Sequence, residues 1–204
     1  DFDVKYPSGN DGGYVMTGIG WYRKSFLVPS NMVGKRLSLY FEGVYMNSEV
    51  FVNGQSVGKR PYGYSSFIYD ITPYVKVGEQ NVVAVRVDNS KQRNCRWYTG
   101  AGIYRHVWLV TTEALHVAHW GTYITTPEVT KELAKVLVAV QVKNETEADK
   151  QAMVSVCLQK AGREVAKGSV PVSIASLKED KALIALDVKN PELWSPDTPS
   201  LYEA

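Results

Sequence analysis

Arg96-Trp97-Tyr98 places a cation beside two large aromatics, and GAGIYRHVWLV follows from Gly100. A purely structural loop has no need of that trio. A surface for a flat or ring-shaped ligand does, because aromatic faces and a guanidinium fork together hold such a ligand. Gly100 and Gly102 would let the backbone turn back tightly into the strand that follows. The competing role is packing, with Trp97 buried against a neighbouring domain and Arg96 paired to an acid.

Other chemistry is sparse. Glu42, Glu49, Asp70 and Asp88 fall in strands or turns and read as solvated, turn or capping carboxylates. None is assigned a catalytic role. His106 sits in an alternating run and reads as a structural histidine, since no acid stands near it in sequence. Arg105 beside it reads as a buried or interdomain ion-pair residue. His116 and His119 lie three apart in strand-like sequence, a poor spacing for a metal pair. The two cysteines, Cys95 and Cys157, are far apart and form no CxxC, so no disulfide framework or metal knuckle is expected. Cys157, within VSVCLQ, is expected in the core. No calcium or magnesium ligand spacing occurs, and no cofactor is expected.

Elements that could position the aromatic loop are nearly all of period two. Leu37–Phe41, Ser48–Val52, Asn81–Asp88 and Ile103–Val110 alternate. Asn53-Gly54 between two strands is a strong hairpin signal. Asp70 followed by ITPYV allows one helical turn at most, because of Pro73. After Thr111 aromatics thin out, and Val136–Val142, Met153–Gln159, Arg163–Val172 and Ala182–Val188 continue the strand pattern. Strands about every 10–15 residues with turns between them predict sandwiches. The expected fold is all-β, with one domain over 1–112 and a second over 113–204. Leu201-Tyr202 reads as the start of a strand with no partner left, so the second sandwich is expected to be incomplete and the chain to be part of something longer.

The chain has 204 residues and a net charge of +2, with 23 basic and 21 acidic residues interspersed. That charge gives no nucleic-acid footprint. No apolar run approaches the roughly 18 residues of a membrane-spanning helix.

Several stretches carry a family resemblance. GIGWYRKSF (Gly18–Phe26), FEGVYMNSEVFVNGQSVG (Phe41–Gly58), YSSFIYDITPYVKVGEQNVVAVRVDN (Tyr64–Asn89), GAGIYRHVWL (Gly100–Leu109) and NPELWSPDTPSLY (Asn190–Tyr202) occur in order. Together they resemble the N-terminal part of glycoside hydrolase family 2, the β-galactosidase, β-glucuronidase and β-mannosidase family. The resemblance implies a sugar-binding jelly roll followed by an immunoglobulin-like sandwich. It also implies a (β/α)₈ barrel beyond this sequence, carrying the two carboxylates of a retaining mechanism.

By the same resemblance, the loop before the GIYR strand reaches the sugar site, and its residues Asn94, Arg96, Trp97 and Tyr98 are the candidate substrate contacts. The chemistry fits: aromatics pack the C–H face of a sugar, while Arg and Asn donors meet its hydroxyl rim. Arg96 would also suit a uronate. Some β-galactosidases carry an acid where Arg96 falls, and an Asn shortly before the first strand where this chain has Thr17-Gly18-Ile19-Gly20. The family's galactose contacts therefore do not transfer directly, although a β-galactoside remains the leading substrate.

The expected function is a non-catalytic portion of a β-galactosidase-like glycosidase, partnered by carbohydrate and by the catalytic barrel of its own chain. Homo-oligomer formation stays open, and a bacterial periplasmic location rests on family analogy. The alternatives are an autonomous lectin-like carbohydrate-binding module and a purely structural pair of β-domains. In the latter, Trp120 and Trp194 would be interface residues. A second aromatic cluster, Tyr62 to Phe67, reads mainly as structural, with Phe67 and Tyr69 packed into a sheet.

Overall fold

The structure, a computed structural model, describes residues 3–6, 8–10, 12–91 and 100–204. It divides into two compact units, Asp1–Glu113 and Ala114–Ala204. Each is built from antiparallel strands, as the period-two patterning requires.

In the first unit the strands are β1 (Ile19–Leu27), β2 (Arg36–Phe41), β3 (Val44–Tyr45), β4 (Ser48–Val52), β5 (Gln55–Arg60), β6 (Phe67–Asp70), β7 (Gln80–Asp88), β8 (Gly102–Ile103) and β9 (Val107–Thr112). One sheet runs β1-β7-β4-β5, a second runs β6-β2-β9, and β3 pairs with β8. Strand β2 alternates strictly, burying Leu37, Leu39 and Phe41. Those side chains meet Val50, Val52, Val85 and Val87 from the other sheet in one core. Phe67 stacks on Phe41 at 4.9 Å and tilts against Tyr69 at 5.3 Å, the packing expected of them.

The Asn53-Gly54 turn adopts positive φ at both residues, 49° and 84°, the conformation of a tight hairpin. Asn53 has a second task. Its amide donates to Tyr74 O and to Asn81 Oδ1 and accepts from Val82 N. Asn81, fully buried, is satisfied in turn by the backbone of Lys76 and Glu79. A single turn, Thr72–Tyr74, follows Asp70, whose carboxylate accepts from Thr72 N at 2.8 Å.

The second unit holds β10 (Leu115–Val129), β11 (Leu133–Asn144), β12 (Lys150–Lys160), β13 (Arg163–Ile174) and β14 (Glu179–Lys189). Sheet β10-β11-β14 faces the pair β12-β13. Alternate residues of β11 and β14, among them Val136, Val138, Ile184 and Leu186, form the core between them. At Gly168 a Cβ would come within 2.7 Å of Leu186, so the facing strand approaches closely there.

Four expectations change. Ile103–Val110 is not one strand: β8 ends at Ile103 and β9 begins at Val107, because Tyr104 turns aside to pack over Gly43. Cys157 is half-buried on the outward side of β12, between the inward Val156 and Leu158, with its thiol 3.3 Å from Glu164. Arg105 is exposed within its unit, its guanidinium 6.0 Å from the Tyr104 ring centre, so of the two expected settings, buried or interdomain, the buried one does not hold. The Leu201-Tyr202 segment does find a partner. Glu203 exchanges both backbone hydrogen bonds with Gln159 at the edge of β12, and Tyr202 packs against the core under Lys160.

Candidate functional site

The predicted loop joins β7 to β8. The residues expected to contact substrate, Asn94, Arg96, Trp97 and Tyr98, and its Cys95 lie outside the described residues. Both of its anchors are described, and both are tightly built.

At the entry, Asp88 accepts from Ser90 Oγ at 2.6 Å, from Ser90 N at 3.0 Å and from Arg86 at 2.9 Å. The Ser90 hydroxyl, followed by the other donors, holds the Asp88 carboxyl below its usual range. The next residue, Asn89, is 3% exposed and straps onto Gly18. Its backbone N–H donates to Gly18 O at 3.0 Å, and its amide oxygen accepts from Gly18 N at 2.9 Å.

At the exit, Gly102 pairs with Tyr45 and has φ of 96°. A Cβ there would stand 2.0 Å from the Tyr22 hydroxyl, so only glycine fits. Tyr22 Oη in turn accepts from Ile103 N at 3.2 Å. Between the anchors a depression of about 80 Å³ opens beside Gly18, Gly20, Tyr22, Asn89 and Gly102.

Past the exit, aromatics gather. Tyr104 donates to Gly63 O at 2.7 Å, Tyr64 packs on buried Tyr45 at 5.2 Å, and Tyr62 meets Tyr64 edge-on. Tyr62, Tyr64 and Tyr104 remain exposed. The cluster therefore has a buried foot at Tyr45 and an exposed crown, which the packing expectation covered only for Phe67 and Tyr69.

Further along, Glu42 receives Trp108 Nε1 at 2.8 Å and faces His106 Nδ1 at 3.1 Å. The Trp108 indole, then His106, draw the Glu42 carboxyl below its ordinary value. His106 thus has an acidic partner after all, brought from 64 residues away, and its side chain is exposed rather than enclosed. The signal available in the sequence was the outward position of His106 and Trp108 on one face of an alternating run. Asn89 and Tyr22 carried no such signal, since their partners lie 71 and 81 residues off. Among the described residues, no group of three or more His, Cys, Asp or Glu could hold a metal ion.

Comparison with known proteins decides the family. Residues 2–113 match the model for the glycosyl hydrolases family 2 sugar binding domain, and residues 116–204 match the glycosyl hydrolases family 2 model that follows it. The chain belongs to glycosyl hydrolase family 2. Among its family 2 relatives, the β-galactosidase BoGH2A of Bacteroides ovatus is 50% identical over 203 residues, which is 99% of this chain and 24% of that protein. A putative β-glucuronidase of Formosa agariphila is 43% identical, over 96% of this chain and 18% of its own length. A family 2 crystal structure from Bacteroides cellulosilyticus superposes with a TM-score of 0.93 at 37% identity, covering 98% of this chain and 26% of that one. The chain thus spans about a quarter of the BoGH2A protein.

Proposed function

We propose that this chain is the non-catalytic, sugar-facing portion of a retaining family 2 glycosidase acting on β-galactosides. The observation that carries the reading is the match of residues 2–113 to a sugar binding domain, within a chain that covers 24% of a β-galactosidase half identical to it. The first sandwich, residues 1–112, presents the loop bearing Asn94, Arg96, Trp97 and Tyr98 to the sugar. The second, residues 113–204, is the immunoglobulin-like spacer. A catalytic barrel elsewhere in the longer protein supplies the acid/base and the nucleophile, a carboxyl pair about 5–5.5 Å apart in retaining enzymes. The 204-residue chain by itself hydrolyses nothing. The clamps at Asp88–Asn89 and Gly102–Ile103 support the loop's role, because a contact loop is useful only if its ends are fixed.

A second reading, a β-glucuronide as substrate, is favoured by the 43% identical relative and by Arg96, whose fork suits a carboxylate. The test is steady-state kinetics of the full-length protein on p-nitrophenyl β-galactoside and p-nitrophenyl β-glucuronide. Trp97→Ala and Arg96→Ala should each lower kcat/KM by about 10- to 100-fold, the loss of 1–3 kcal/mol of positioning. Unchanged kinetics in both variants would remove the loop from the site. A glucuronide preference that disappears with Arg96→Ala would establish the second reading.

A further inference from the structure

Strand β14 is complementary to itself along its outward side. The side chains there are, in order, Glu179, Lys181, Leu183, Ala185, Asp187 and Lys189. Laid head to tail on a copy of itself about its midpoint, the strand sets acid on base and large on small throughout. Glu179 falls on Lys189, Lys181 on Asp187, and Leu183 on Ala185. The neighbouring strands keep the same plan. Tyr123 of β10 and Ala139 of β11 stand in register with Leu183, and Thr125 and Leu137 stand in register with Ala185. The centre of this sheet face is therefore two rows, Tyr-Ala-Leu beside Thr-Leu-Ala, in which every strand carries one large and one small side chain.

Tyr123, Leu183 and Leu137 are 69%, 68% and 46% exposed, a patch of large apolar side chains on an outer face. With Thr125, Ala139 and Ala185 they line a depression of about 290 Å³. The two rims of the patch differ in charge. On one side Lys181 stands in register with Gln141, whose amide donates to Glu179 one row further out. On the other side Asp187 stands in register with Lys135, and Lys135 pairs with Glu128 at 2.6 Å. The first rim, Gln141 and Lys181, is positive by one charge, and the second, Glu128, Lys135 and Asp187, is negative by one.

Stacked sheets lie about 10 Å apart with their strands within about 30° of each other. A two-fold axis between two such faces can run along the strands or across them. Along β11 it would set Leu137 on Leu137, Lys135 on Lys135 and Tyr123 on Leu183. Across the strands, between the two central rows, it sets Tyr123 on the partner's Thr125, Leu137 on the partner's Ala139 and Leu183 on the partner's Ala185, with Lys181 on the partner's Asp187. Only the second axis satisfies volume and charge together. The face spans three strands and eleven residues of β14, about 500 Å² in plan on each copy at ~4.8 Å per strand and ~3.4 Å per residue. The two copies together reach about the 1,000 Å² at which specific interfaces begin, so the contact is weak and concentration-dependent.

We propose that two copies of the full-length protein dock through the outer face of β10-β11-β14 about this second axis. The self-complementarity of the face, with oppositely charged rims, is what commits it to a second copy rather than to an unlike partner. The experiment is sedimentation equilibrium of the full-length protein across a concentration series, with Lys181→Asp, Asp187→Lys, the double exchange and Leu137→Glu.

The unaltered protein should pass from monomer to dimer with rising concentration. Each single charge reversal should weaken the dimer about tenfold or more, since the axis repeats the like-charge contact twice. The double exchange should recover most of that loss. Within one chain positions 181 and 187 are about 20 Å apart along the strand, well beyond the roughly 8 Å screening length, so recovery reports a contact between copies. Leu137→Glu, one strand in from β14, should abolish the dimer and so separates face stacking from pairing of β14 edges. The substituted side chains all point outward, and an unchanged melting temperature at low concentration checks that the fold is kept. A protein that stays monomeric up to its solubility limit, as it would if another part of the longer chain covered this face, overturns the proposal. So does a double exchange as weak as the single variants, or an association that Leu137→Glu leaves unchanged.

Discussion

Glu42 is the carboxylate whose environment can be read most directly. It accepts from Trp108 and faces His106 across the start of β9, and both contacts favour its ionised form. A folded-state value below the ordinary 4.5 means that its contribution to stability is present above that pH and is lost as pH falls through the folded value. The Trp108 indole N–H resonance, followed from pH 6 to pH 2, should therefore move with a midpoint below 4.5. A midpoint at or above 4.5, or a resonance that Glu42→Gln leaves titrating in the same range, would refute the assignment. At this scale the sequence was least informative. It shows which residues are able to ionise or donate, but not that Glu42 and Trp108 meet from 66 residues apart, nor that His106 is exposed. Cys157, and the burial of Arg105 within its unit, were misjudged for the same reason: burial depends on which face a neighbouring sheet covers, and local alternation does not say which.

At the scale of elements, alternation served better. β2, β4, β7 and the four strands predicted in the second unit lie where the period-two runs fall, and Asn53-Gly54 makes the hairpin turn it signals. The break between β8 and β9 escaped because Ile103–Val110 alternates without interruption. What divides it is a side chain, Tyr104, laid over Gly43 and bonded to Gly63, and neither glycine is near it in sequence. The interlock of Gly102 with Tyr22 makes a sharp prediction. Gly102→Ala should cost about 2–4 kcal/mol, combining a strained positive φ with a steric overlap. Tyr22→Phe in the same chain should return part of that loss by removing the oxygen that the new Cβ would strike. Chemical denaturation of the two single variants and the double variant measures the coupling. Additive losses would show that the hydroxyl is not what excludes a side chain at 102.

At the scale of the whole molecule, two cores are assembled from separate residue sets, one per unit, and two successive all-β sandwiches were legible from composition and turn spacing alone. The aromatic loop residues lie outside the described ones, and the loop's anchors were not legible in the sequence, since they depend on Gly18 and Tyr22, 71 and 81 residues earlier in the chain. Among the described residues, the order of the first sheet, β1-β7-β4-β5, leaves β1 and β5 as its edges. Each edge carries two neighbouring cations, Arg23-Lys24 in β1 and Lys59-Arg60 in β5. An open edge is a template on which another chain can add a strand, and like charges aligned across the new ladder oppose that addition. The borders of this sheet are therefore expected to resist fibre-like growth between copies, chiefly at β1, since Lys59 of β5 already lies 3.4 Å from Glu49. Replacing Arg23 and Lys24 with Thr and Val should leave the fold intact while light scattering rises with concentration and falls back when either cation is restored.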